Sequence, residues 1–358
     1  VIVGAGAAGL SFAYYLAHLD STHEFSCTLI DPDAKTDYDR TWSYWGDHFD
    51  FDDLVEREWK RLLVRDGDTT AQACFGGRGY RFVPSDRFYR RCLEVITADS
   101  RFSFVRARAE RLVSDEDAVR VGVRPVGSRV SERRSEGADL SWYRADYVVD
   151  SVFGPAMQPG ASPGDLGPRE EPAFRQSFVG WLVEIGAATW DRGELCLMDF
   201  DAPSDGTDPV STRPALEFAY TLPFTDRRAL VEFTAVGRAQ PSDEYLESRL
   251  ESYLAAVLGA EEWAIVHREK GSIPLYESRG PTETGSGRVI HLGVQAGAAR
   301  PTTGYAFRSI VETSKALAAA YGRTGKLLSP AAVGDPAMPP HRRLRPRFYD
   351  RVFLEVLA

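Results

Sequence analysis

The sequence predicts an α/β protein: a nucleotide-binding domain of alternating strands and helices, discontinuous along the chain, carrying an inserted and mainly antiparallel β-sheet domain. Three observations predict it. The chain opens on an apolar strand that runs into the glycine turn Gly4-Ala-Gly-Ala-Ala-Gly9. Two much later strands end in turns of the same small and polar kind. Between these segments the sequence reads as short strands punctuated by turn residues.

The first strand is followed by a helix expected over Ser11–Leu19, with Phe12, Tyr15, Leu16 and Leu19 on one face. Cys27-Thr-Leu-Ile-Asp31 is a second strand ending in an acid. The spacing has a chemical reason. Gly4 makes the tight turn, Gly6 lets the backbone approach a pyrophosphate, and Gly9 lets the helix pack closely on the strand. Ala5, Ala7, Ala8 and Leu10 complete this cradle. Asp31 stands at roughly the 20-residue spacing expected of an acid that holds a ribose hydroxyl. The pattern is a Rossmann-type dinucleotide fingerprint, which by itself suits FAD and NAD equally.

Two later segments favour FAD, held by a discontinuous domain of the glutathione-reductase or hydroxylase kind. Tyr147-Val-Val-Asp150-Ser-Val-Phe-Gly154 is a strand entering an Asp/Gly turn, which suits either a return to the dinucleotide or an ordinary turn. Val289-Ile-His-Leu-Gly293 is another strand, and the loop Gly297-Ala-Ala-Arg-Pro-Thr302-Thr303-Gly304-Tyr305 leads to a helix expected over 307–321. Glycines and threonines ahead of a helix leave backbone N–H groups free to face a phosphate or a flavin ring. The domains therefore read as 1–155 plus 270–330 for FAD binding, 156–269 for a β-rich substrate domain, and 331–358 for a basic and apolar tail.

Within the insertion, strands are expected at Ser177–Val183, Leu195–Phe200, Leu216–Leu222 and Ala229–Ala235, followed by an amphipathic helix over Ser242–Leu258. The Pro- and Gly-rich stretch 155–172 reads as a linker, and the polar Ser128–Glu136 as a hairpin tip.

Composition narrows the function. With 43 basic against 52 acidic residues and a net charge of −9, nucleic acid is a poor partner. Cys27, Cys74, Cys92 and Cys196 form no CxxC pair, which fits a reduced, cytosolic setting without a zinc site. The 6 histidines are scattered, which argues against metal catalysis. Aromatic residues make up 11% of the chain, enough for a large core or a large apolar ligand. Glycines interrupt the first apolar segment and no basic leader accompanies it, so it reads as neither signal peptide nor membrane span. Val1 and the final Phe353–Ala358 both fall inside apolar patterns, so the chain is expected to continue beyond each end.

Glu232 stands out on residue chemistry alone. In Leu230-Val-Glu-Phe-Thr-Ala235 both strand faces are largely apolar, with Val231 and Phe233 opposite Glu232. Desolvation favours the neutral carboxyl there, and a neutral carboxylic acid in a dry pocket is a proton donor at neutral pH. The competing reading is an edge-strand glutamate paired with Arg227 or Arg228 across the preceding turn.

The chain resembles the flavin-dependent lycopene β-cyclases of carotenoid-producing bacteria and plastids. The resemblance rests on the Gly4–Gly9 fingerprint with Asp31, on Asp39-Arg-Thr-Trp-Ser-Tyr-Trp45, and on Gln176-Ser-Phe-Val-Gly-Trp-Leu-Val-Glu184. Leu197-Met-Asp-Phe200, Tyr220-Thr-Leu-Pro-Phe224, Leu230-Val-Glu-Phe-Thr234, Gly271-Ser-Ile-Pro-Leu275 and Gly297–Phe307 follow in the family's order. It implies cyclisation of the acyclic ends of lycopene to β-ionone rings, through γ-carotene to β-carotene, by protonation, carbocation closure and proton loss. The reaction has no net redox change, yet the family needs reduced FAD, with NAD(P)H as electron donor.

The resemblance places the catalytic acid at Glu232 and further cofactor contacts at Arg40, Thr41 and Trp42. Relatives often carry a second acid directly after that glutamate. Here the position is Phe233, which leaves Glu232 as the one expected carboxyl, with reduced flavin or water as its partner. Trp45, Phe178, Trp181, Phe218, Tyr220 and Phe233 are the expected tunnel aromatics, with Trp42 and Tyr305 as further candidates to face the cation. A hydrocarbon substrate implies peripheral association with the inner face of the membrane. The arginine-rich segment from His341 to Arg351, ahead of the apolar Val352–Leu357, is the expected contact, unless it packs on the flavin domain instead. The alternative activity is that of an FAD-dependent monooxygenase or isoprenoid reductase of the same fold.

Overall fold

Apolar alternation along the chain is realised as three sheets, seen in a computed structural model. It describes residues 1–20, 24–46, 48–74, 76, 79–115, 117–127, 140–152, 172–201, 214–256, 259, 262–276, 287–327 and 340–357. The chain begins β1 (Ile2–Val3), α1 (Ala7–Ala17), β2 (Cys27–Asp31), β3 (Thr41–Trp45), β4 (Arg57–Trp59), β5 (Arg61–Asp66) and β6 (Thr69–Cys74). It continues with β7 (Tyr80–Pro84), α2 (Ser85–Ala98), β8 (Phe102–Ser114), β9 (Val119–Pro125), β10 (Ser141–Ala145) and β11 (Val148–Asp150). Next come β12 (Phe174–Ile185), β13 (Glu194–Asp199), β14 (Leu216–Pro223), β15 (Arg228–Gly237) and α3 (Asp243–Ala256). The last elements are β16 (Trp263–Leu275), β17 (Val289–His291), α4 (Phe307–Thr324) and α5 (Pro340–Leu357).

The first sheet runs β10-β9-β8-β2-β1-β11-β17, parallel from β8 through β17. Its strands come from both ends of the chain, as a discontinuous Rossmann-type domain requires. Leu10, Phe12 and Leu16 of α1 pack with Phe88 and Ile96 of α2 and with Ile310, Val311 and Leu317 of α4 over one face. Gly9 explains how close that packing is: a Cβ added there would lie 1.9 Å from the Gly4 carbonyl oxygen. Gly4 itself has φ +92, a conformation that glycine alone adopts readily.

The second sheet, β16-β12-β15-β14-β13-β5-β6, is antiparallel except where β13 meets β5. Its two faces are sorted by the strand period of 2. Val179, Trp181 and Val183 of β12 and Val231, Phe233 and Ala235 of β15 pack against Leu246, Leu250, Tyr253 and Leu254 of α3. Each such fully buried large side chain contributes about 1.5–3 kcal/mol of transfer free energy. The opposite face looks toward the first sheet. The small third sheet, β3-β7-β4, lies at this junction.

The domain boundaries differ from those expected. β5 and β6 belong to the second sheet although they precede residue 155, and β16 runs unbroken through residue 270. The helix after the glycine turn starts at Ala7 rather than Ser11, because its small residues are themselves helical. Residues 155–171 and the expected hairpin tip Ser128–Glu136 lie outside the described residues.

The two cradle glycines should behave differently on substitution. Gly9→Ala drives a methyl into the Gly4 carbonyl, so marked destabilisation is expected in chemical denaturation. Gly6→Ala meets nothing within 4 Å and should cost no more than about 1 kcal/mol, since the residue is the N-cap of α1.

Candidate active site

One cavity of about 470 Å³ connects the glycine turn to the second sheet. At one end it is lined by Gly6, Ala7, Ala8, Ser151, Gly293 and Val294, at the other by Phe178, Phe218, Tyr220 and Glu232. Lys35, Arg40, Thr41, Trp42, Thr303, Gly304, Tyr305 and Phe307 line the walls between. Helix α1 begins at this cavity with Gly6 as N-cap, no side-chain cap and no acid in its first turn. Its orphan N–H groups and positive dipole end therefore favour an anionic group. Gly293 (φ +83) and Gly304 (φ +69) on the lining are left-handed, and a Cβ added at either would meet Ala8 Cβ at 2.8 Å or Gln176 Oε1 at 2.5 Å.

The expected cofactor residues divide by position. Gly6, Ala7, Ala8, Arg40, Thr41, Trp42, Gly293, Thr303, Gly304 and Tyr305 line the cavity. Gly4, Ala5, Gly9 and Leu10 shape the turn behind it, and Leu10 is a core residue. Asp31 binds that turn: its carboxylate accepts the Ala5 N–H at 2.7 Å and the Asp33 N–H at 2.8 Å. Lys35, which the sequence reading overlooked, approaches Asp31, Asp33 and Asp39 at 4.0, 3.9 and 3.8 Å.

Three expected contacts point elsewhere. Asp150 is buried against His291 Nδ1 at 3.0 Å and accepts the Val152 N–H, so it joins β11 to β17 while its neighbour Ser151 faces the cavity. Gly297 is the left-handed residue that ends a 3₁₀ turn. Thr302 donates its hydroxyl to Asp350 of α5 at 2.8 Å. Gly154 lies outside the described residues.

The expected tunnel aromatics also divide. Phe178, Phe218 and Tyr220 line the cavity. Trp181 and Phe233 do not: the strand period turns both to the α3 face. Trp45 stands behind the wall, its ring 4.6 Å from that of Tyr80. Tyr80, not singled out from sequence, lines the cavity; its hydroxyl meets those of Tyr220 and of Tyr305, the latter at 2.9 Å.

Glu232 sits on β15 with β12 on one side and β14 on the other, so it is not an edge residue. Arg228 reaches Glu184 instead, at 3.7 Å, and among the described residues no ion pair involves Glu232. The Thr234 hydroxyl donates to its carboxyl at 2.9 Å. Burial pushes its pKa up to about 8, assisted by the nearby charge of Glu269. Glu269 is the residue that sequence reasoning missed. It is 5% exposed on β16, accepts the Thr41 N–H at 2.9 Å, and is raised by burial to about 7. The recognised segment Gly271–Leu275 begins two residues after it, but nothing in the local pattern showed which face it occupied.

Several solved structures are similar over almost the whole chain. A geranylgeranyl bacteriochlorophyll reductase-like protein from Thermoplasma acidophilum shares 13% identity at TM-score 0.69, covering 99% of this chain and 86% of that one. The p-nitrophenol 4-monooxygenase PnpA from Pseudomonas putida shares 14% at TM-score 0.58, covering 99% and 94%. HpxO from Klebsiella pneumoniae, solved with FAD and uric acid, shares 17% at TM-score 0.59, covering 99% and 87%. No curated relative matches in sequence. The fold is the one these reductase-like and FAD-bound proteins share, a Rossmann-type domain joined to a β-sheet domain. The family profile described as lycopene cyclase protein matches residues 1–357, and the chain belongs to that family.

The two raised carboxyls set a pH dependence of stability. Both have folded pKa values above the ordinary 4.5, so the folded state binds more protons than the unfolded chain between that value and about 8. Their contribution is fully present below the unfolded value and is lost as pH rises through the folded ones. The melting temperature should fall from roughly pH 5 to pH 8, and Glu232→Gln should flatten that fall and melt higher than the parent at the alkaline end.

Proposed function

We propose that the protein is an FAD-dependent lycopene β-cyclase, an intramolecular lyase or isomerase that closes the acyclic ends of lycopene into β-ionone rings. The observation that carries this reading is a desolvated carboxyl, Glu232, without an ion-pair partner among the described residues, on the wall of a cavity that starts at a dinucleotide turn. The cradle fits FAD: the uncapped N-terminus of α1 and the open space at Gly6 suit its pyrophosphate. Arg40, Thr41, Trp42, Gly293, Thr303, Gly304 and Tyr305 stand where they would hold the rest. Bound and reduced, with NAD(P)H as electron donor, FAD would supply an electron-rich face that stabilises nearby positive charge.

The chain's own residues account for the remaining steps. The protonated Glu232 carboxyl gives its proton to the terminal double bond, leaving a tertiary carbocation and a carboxylate. The next double bond attacks that cation, a ring C–C bond forms, and loss of a ring proton restores neutrality. One proton enters and one leaves, so substrate and product are isomers. Phe178, Phe218 and Tyr220 keep water away, and each aromatic face near the cation contributes about 0.5–2 kcal/mol.

Glu232→Gln keeps the shape and removes the acid. Expressed in lycopene-accumulating bacteria, it should lose at least about 100-fold in cyclisation while still copurifying with flavin. Unchanged lycopene with the parent protein, or stoichiometric NAD(P)H consumption with product, would instead favour a reductase or monooxygenase.

A membrane-resident substrate also requires an approach to the bilayer. Among the described residues no helix is long and apolar enough to cross a membrane. Helix α5 packs Leu354 into the apolar cluster beneath the second sheet and anchors through Asp350 to Arg300 at 3.0 Å. Its other side exposes Tyr349, Val352 and Val356, at 62%, 38% and 78%. This stripe is the proposed peripheral contact. Val352→Glu combined with Val356→Glu should reduce cosedimentation with anionic vesicles several-fold and leave the melting temperature unchanged.

A further inference from the structure

The strand registers place four residues in one row across the second sheet. Tyr220 on β14 is opposite Glu232 on β15, Glu232 is opposite Gly180 on β12, and Gly180 is opposite Glu269 on β16. Directly paired residues on adjacent strands share a face, so both carboxyls rise from the cavity side with only a glycine between them. A Cβ on Gly180 would lie 3.1 Å from Glu269 Cγ and 3.4 Å from its Oε1. The missing side chain is therefore what lets Glu269 lean across β12 toward Glu232.

We propose that Glu269 is a positioning residue of the acid–base site, acting across Gly180 to hold the proton on Glu232 and, through Thr41, tying that carboxyl to the cofactor-side wall. The inference rests on the cyclase reading only for the consequence to catalysis; the coupling of the two carboxyls is a property of the sheet. Like charges leaning toward each other across one glycine in a site this dry oppose joint ionisation, so charge on one carboxyl favours the proton on the other.

The Thr41 N–H and the nearby Arg40 favour charge on Glu269, whereas Asp39 opposes it. Asp39 is itself engaged by Lys35 and Tyr89, and Tyr38 packs beside His267 on β16. Among the described residues the Glu232 side offers hydroxyls, from Thr234, Tyr80, Tyr220 and Tyr305, and no cation. Charge thus settles on Glu269 and the proton on Glu232, which is the member that lines the cavity. When that proton is given up and a ring proton recovered, the pair returns to the same state with no net change in protons or electrons.

The test is the pH profile of cyclisation with a spectroscopic titration of the carboxyls. Glu269→Gln removes the like charge, so the alkaline limit of activity should move down by about one pH unit. Glu269→Asp, which restores the charge, should return most of that shift. Difference infrared spectra of protonated carboxyl groups supply a readout independent of turnover and of the folding of Glu269→Gln. By linkage, Glu269→Gln should move the Glu232 titration to lower pH, whereas Glu232→Gln should leave Glu269, which ionises while Glu232 still holds its proton, nearly unmoved. Superimposable pH profiles for the parent and Glu269→Gln, or a Glu232 titration indifferent to Glu269, would overturn the proposal. If the parent forms no rings yet the infrared shift appears, the cyclase reading fails while the coupling stands.

Discussion

A carboxyl group on an interior strand, with apolar neighbours and no cation paired to it, keeps its proton, because ionising it there would cost several kcal/mol. Glu232 is held under that constraint, and much of the surrounding architecture serves it. The strands beside it exclude water, Gly180 removes the side chain that would separate it from Glu269, and the linked hydroxyls of Tyr80, Tyr220 and Tyr305 lie near it without supplying charge. An arginine at any of those positions would convert the acid into an inert carboxylate.

The same fold keeps opposite electrostatic demands apart. The α1 N-terminus offers unpaired N–H groups and a positive dipole end, suited to an anion. The second sheet offers a protonated acid among aromatic rings, which is what the proposed hydrocarbon substrate and its cation would require. A single cavity joins them, with Thr41 and Trp42 at the junction and Glu269 fastened to the Thr41 backbone. Cofactor-side and acid-side geometry are thereby coupled through one hydrogen bond.

Much of this was legible in the sequence. The glycine spacing carried the first domain because close approach of backbone to backbone admits little else, as Gly9 shows. Glu232 was legible because its strand is apolar on both faces. Strand parity also made Phe233 readable as lying opposite Glu232, on the α3 face, and its inclusion among the tunnel aromatics went against that parity. Trp181 was harder: its face depends on the pairing of Gly180 with Glu232, a long-range register that local pattern does not encode. Glu269 was hidden for the same reason, since β16 carries a register shift and a mixed sequence. Asp150 and Thr302 were misplaced because a polar residue at a turn serves a neighbouring strand or helix as readily as a ligand.

The central claim is that a proton, not a pair of electrons, is delivered to the hydrocarbon in this cavity. Turnover of lycopene in deuterated water, followed by mass spectrometry of the carotenes, tests it most directly. Proton-initiated closure predicts an isomeric product that gains one deuteron in place of one proton for every ring formed. A product heavier by two hydrogens or by an oxygen atom, with NAD(P)H consumed in step, would contradict it.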